Sequence, residues 1–161
     1  MRAVTVLLIV GIAGVSCSLE AAPVKSPYVD LGNYSKETSD FPEIARAIGK
    51  SFSRECAKRA CTNSLGEYRP VHFRCSADMR SGEIAVCHWV FVAMKLEMTP
   101  ATGATHGAAT TYDCVLPGLT RVGAVELATG LRRHDPLHVP LPGINKSLWS
   151  LSRDCVPGRL G

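Results

Sequence analysis

Residues 69–98 read RPVHFRCSADMRSGEIAVCHWVFVAMKLEM, and their alternation sets the architecture of the chain. From Arg69 to Cys75 apolar and polar side chains alternate, with Val71, Phe73 and Cys75 on one face. Asp78-Met79-Arg80-Ser81-Gly82 carries turn chemistry, and Ile84 to Met98 is rich in β-branched and aromatic residues. Two such runs around a short polar turn predict a β-hairpin. A turn centred near Ser81 sets Cys75 opposite Cys87, Phe73 opposite Trp89 and Val71 opposite Phe91. All six then share one apolar face, as a sheet packed on one side requires.

Upstream, Phe41, Ile44, Ala45, Ile48, Phe52 and Cys56 recur at helical spacing, while Arg46, Lys50, Arg54 and Lys58 fall on the other side. Asp40 and Glu43 stand where a capping box would start this helix. Its basic stripe reads as a solvated face, with partner binding as the alternative. Downstream, Thr99 to Thr110 reads as a Gly/Ala/Thr loop, Thr111 to Leu116 as a third strand, and Leu119 to Leu127 as a fourth weakened by Gly123. Arg132 to Pro142 holds three prolines and should be irregular. Ile144, Leu148, Leu151 and Cys155 share one side of a short helix. The expected class is α+β: an antiparallel sheet packed against one long amphipathic helix.

The N-terminus carries an export signal. Arg2 precedes an uncharged, largely aliphatic run from Ala3 to Val15, and the small residues Ser16, Cys17 and Ser18 follow. The run is shorter than the roughly 20 residues a membrane-spanning helix needs. Cleavage after Ser18 is expected, with a mature N-terminus between Ser18 and Ala22. Residues 1–18 are then a signal peptide, 19–39 a polar extended leader without a core, and 40–161 a single domain. The expected location is extracellular.

Removal of the signal leaves six of the seven cysteines: Cys56, Cys61, Cys75, Cys87, Cys114 and Cys155. An even number in an exported chain implies three disulfides, with fifteen possible connectivities. A helix running through Cys56 and Cys61 would separate them by about 7.5 Å along its axis, beyond the roughly 7 Å reach of an unstrained bridge. The expectation is therefore that Cys56 and Cys61 bond to different parts of the sheet, Cys56 to Cys75, Cys87 or Cys114. Cys155 would tie down the C-terminal segment. A direct Cys75–Cys87 bridge across the hairpin competes with this scheme.

Losing Arg2 takes the net charge from +4 to +3, and no Lys/Arg block demands nucleic acid. Asn33-Tyr34-Ser35 and Asn145-Lys146-Ser147 are acceptor sequons for glycosylation at Asn33 and Asn145. The hairpin register that buries Phe73 and Trp89 turns Arg74 toward His88 on the opposite face, with His72 one step along. Two histidines and an arginine could supply the base, acid and cation of phosphodiester cleavage, with Glu83 near the turn as a further carboxylate. His134 and His138 have the spacing of a helical metal pair, but Pro136 between them argues against that helix. Neither a metal nor a cofactor is expected. Nucleophile elbows, phosphate loops and zinc helices are absent from the sequence. The dibasic pairs Lys58-Arg59 and Arg132-Arg133 read as surface charge or processing sites.

A signal, a polar leader opening on Ala21-Ala22-Pro23 and one six-cysteine domain without catalytic motifs form a recognisable layout. It resembles that of the small secreted cysteine-rich effectors of plant-colonising fungi, and equally that of salivary or toxin-like arthropod proteins. The resemblance implies a non-enzymatic virulence protein that binds a host or other partner macromolecule outside the producing cell. The competing expectation is a secreted ribonuclease-like hydrolase using His72, Arg74 and His88.

Overall fold

The computed structural model describes residues 26–59, 61–63 and 66–156; the expected signal peptide lies outside them. Five strands form one antiparallel sheet: β1 (Tyr28–Asp30), β2 (Thr62–Asn63), β3 (Gly66–Asp78), β4 (Ile84–Met98) and β5 (Thr105–Val115). The order is β1-β3-β4-β5, with β2 pairing β3 as well. Three helices accompany it: α1 (Phe41–Arg59), α2 (Ala124–Leu131) and α3 (Leu148–Cys155). The fold is α+β, an antiparallel sheet packed against a long amphipathic helix and stapled by three disulfides.

The expected apolar stripe of α1 packs inward: Phe41, Ile48, Phe52 and Cys56 are buried, and Arg46, Lys50, Arg54 and Lys58 are exposed. Phe52 is the hub of the core. Its ring lies 5.2 Å from Trp89, 4.9 Å from Phe91 and 5.4 Å from Trp149. In place of the capping box, Asp40 makes a long-range bond and Glu43 a local one within α1. The Asp40 carboxylate accepts from Arg132, and Glu43 pairs with Arg46.

The hairpin pairs Cys75 with Cys87, Phe73 with Trp89 and Arg74 with His88, as the alternation predicts. Its turn is built by Asp78 Oδ1, which accepts from the Arg80 and Ser81 amides, and by Gly82 at φ 71°. The expected Val71–Phe91 pair does not form. Phe91 faces Pro70, and a bulge between Pro70 and His72 leaves Val71 60% exposed. One extra residue reverses the alternation, so Tyr68 becomes the inward side chain opposite Ala93.

Four further expectations are corrected. The Thr99–Thr110 loop is shorter, because Thr105–Thr110 belongs to β5, paired with β4 without a register shift. The stretch expected as a fourth strand holds a turn and then α2. Ala124, Leu127, Ala128 and Leu131 are its buried face, at i, i+3, i+4 and i+7. The described part of the leader joins the fold: β1 pairs Asp30 with Ser76, and Leu31 is fully buried. Finally, Cys56 and Cys61 are bonded to each other, with Cα atoms 4.8 Å apart. The helix stops at Arg59 and the chain turns back, the Cys61 amide donating to the Cys56 carbonyl. Cys75–Cys87 crosses the hairpin, and Cys114–Cys155 ties α3 to β5.

Candidate functional site

The helices α1 and α3 pack against one face of the sheet; among the described residues no helix covers the other. On that open face the register brings Arg74 beside His88, and β5 adds Asp113 opposite Val90. Each polar group is held by a neighbour. Arg74 donates through Nε and Nη2 to Asp30 Oδ2 at 2.9 and 2.6 Å. Asp30 is itself fixed by accepting the Gly32 amide. His88 Nδ1 lies 2.8 Å from Asp113 Oδ1.

His72, one step along β3, faces elsewhere in functional terms. It lines a groove between α1 and β3, whereas His88 lines a smaller depression beside Tyr28 and Val29; Arg74 borders both. The three candidate residues thus share a strand surface without closing on one cavity. Glu83 sits at the turn end of the hairpin, bridged to Gly123. The His138 ring packs 5.5 Å from Trp149. No group of three or more metal-ligating side chains occurs among the described residues.

The groove is the larger feature, about 1100 Å³ in volume. Its floor is apolar: Pro42 and Ala45, exposed and half-buried, stand beside the buried rings of Phe41, Phe73 and Trp89. One wall carries Arg46, Lys50 and Arg54 of α1; the other is β3 from Pro70 to Arg74. Asp30 is the one carboxylate among its lining residues.

That β3 wall is a strand edge. On the side away from β4, β2 pairs Gly66 and Glu67, and β1 pairs Ser76, Ala77 and Asp78. Between those short strands, Arg69 to Cys75 have no strand partner on the groove side among the described residues. Free edge amides and carbonyls are a template for further pairing.

Sequence reasoning found the basic stripe of α1 but read it as a solvated face. That the stripe borders a groove depends on how α1 passes the edge of β3, which local sequence does not carry. Asn33 and Asn145 are both exposed. Comparison with protein-family models, curated proteins and solved structures finds no match.

Proposed function

We propose that this chain is an exported, non-enzymatic interaction protein that holds a partner macromolecule in the groove between α1 and β3. The observation that carries the reading is the combination of an apolar floor, a cationic helix wall and an unpaired strand edge. Concave apolar surfaces with a few placed polar groups are the usual sites of recognition. Three disulfides suit an oxidising compartment, and no described helix is long and apolar enough to cross a membrane. The effector-like layout of the sequence supports a partner outside the producing cell. Exposed Asn33 and Asn145 suit glycosylation during export.

A second reading, a secreted ribonuclease-like hydrolase, draws on Arg74 lying opposite His88 and on the His88–Asp113 pair. Incubation of the oxidised 19–161 protein with RNA separates the two. The binding reading predicts cleavage no faster than that of a His72→Ala/His88→Ala variant. Cleavage that His88→Ala abolishes would replace it with the hydrolase.

A further inference from the structure

We infer that the groove receives an acidic peptide in extended conformation, laid antiparallel or parallel along the free edge of β3 between β2 and β1. The inference rests on the binding reading above and names its partner.

Charge gives the first argument. Arg46, Lys50 and Arg54 follow one another at i, i+4 and i+8 along the groove wall, a rise of about 6 Å per step. Alternate side chains of an extended peptide are about 6.6–6.8 Å apart. Acidic residues at every second position therefore meet successive helix cations with little adjustment. Lys50 has no ion-pair partner among the described residues, and Arg46 is engaged only with exposed Glu43, a pair of small worth. The opposite rim carries His72, while Arg74 there is already paired with Asp30.

The edge supplies the second argument. Arg69 to Cys75 span about 23 Å of strand, room for a short added strand between the ends of β2 and β1. The bulge at Val71 limits regular pairing to His72 onward, so two or three main-chain pairs form and the helix cations supply the rest. Strand addition of this kind draws affinity from backbone hydrogen bonds and specificity from alternate side chains.

A single-stranded nucleic acid would also welcome the cations, but it needs open aromatic faces for stacking. Here Phe73 and Trp89 are 4% and 0% exposed, committed to the core. The peptide is favoured.

The test uses fluorescence anisotropy on the oxidised 19–161 protein with four labelled probes of similar length. They are a peptide alternating Glu with Val or Thr, the same peptide N-methylated at alternate residues, one with its glutamates in a block, and a uridine oligonucleotide. The alternating peptide should bind best, with N-methylation weakening it about tenfold and Lys50→Glu about fivefold, as loss of exposed charge pairing allows. Lys50 is exposed, so that variant keeps the fold, checked by its circular dichroism. Equal binding of the N-methylated peptide, tighter binding of the oligonucleotide, or no saturable peptide binding would each overturn the inference. None of these decides whether the chain cleaves RNA, so the broader reading stands or falls separately.

Discussion

Arg132 and Asp40, 92 residues apart, join the end of α2 to the start of α1: Nε lies 2.9 Å from Oδ2 and Nη2 2.6 Å from Oδ1. The same guanidinium also donates to the Glu37 carbonyl. One side chain thus fastens the segment before α1, the helix start and α2 into one corner.

The Arg132 hydrogen bond holds the Asp40 carboxyl below its ordinary value of 3.8, against the opposing effect of burial. Because the folded value is the lower one, the pair's contribution is complete above the unfolded value. It is lost as pH falls through the folded value. Asp40→Asn should therefore lower the melting temperature slightly at pH 7, and the gap from wild type should close in acid. Thermal melts across pH 2–7 check this; a gap that widens in acid would contradict it.

Disulfide removal should rank by loop length. Separations of 5, 12 and 41 residues correspond to about 2, 3 and 4 kcal/mol of chain-entropy stabilisation. Replacing Cys114 and Cys155 by alanine should thus cost most, and replacing Cys56 and Cys61 least. Urea unfolding of the three double variants measures the order.

The bulge takes Val71 out of the core, whereas Phe52 stands at its centre. Phe52→Ala should cost about 3–5 kcal/mol, since it empties the aromatic centre of the core. Val71→Ala should stay within about 0.5 kcal/mol, as for an exposed site. A Val71 cost near that of a core position would mean that Val71 faces Phe91 after all.

These contrasts mark what the sequence could reveal. The Phe41–Cys56 periodicity and the Phe73–Trp89 and Cys75–Cys87 register are legible because burial on one face forces a strict period. The bulge was not legible, since nothing in Pro70-Val71-His72 says which residue is extra. Thr105–Thr110 has no alternation of its own and is extended because β4 pairs with it throughout. Leu119 to Leu127 reads as a strand, but the apolar spacing from Ala124 to Leu131 is the better guide to α2. The Cys56–Cys61 bond turned on where α1 stops, which local sequence places only to within a residue or two. The groove was hidden because it depends on how α1 crosses the free edge of β3.

Export carries its own prediction. Secreted from a eukaryotic cell, the protein should begin between Ser18 and Ala22 and carry glycans at Asn33 and Asn145. Intact mass before and after enzymatic deglycosylation, with Asn33→Gln and Asn145→Gln variants, reads both. A secreted form retaining Met1 to Val15 would contradict the export argument.

The most direct test of the central claim is backbone amide chemical-shift mapping of oxidised, isotope-labelled 19–161 protein during titration with the alternating acidic peptide. Lining the groove are Arg46, Lys50 and Arg54 on one wall and Val71, His72 and Arg74 on the other. The account predicts that the largest shifts fall on these residues and saturate together, and that the Phe73 and Cys75 amides, which point away from β4, become protected from hydrogen exchange. Shifts centred instead on His88, Val90 and Asp113 of the open sheet face, with the groove unmoved, would contradict it.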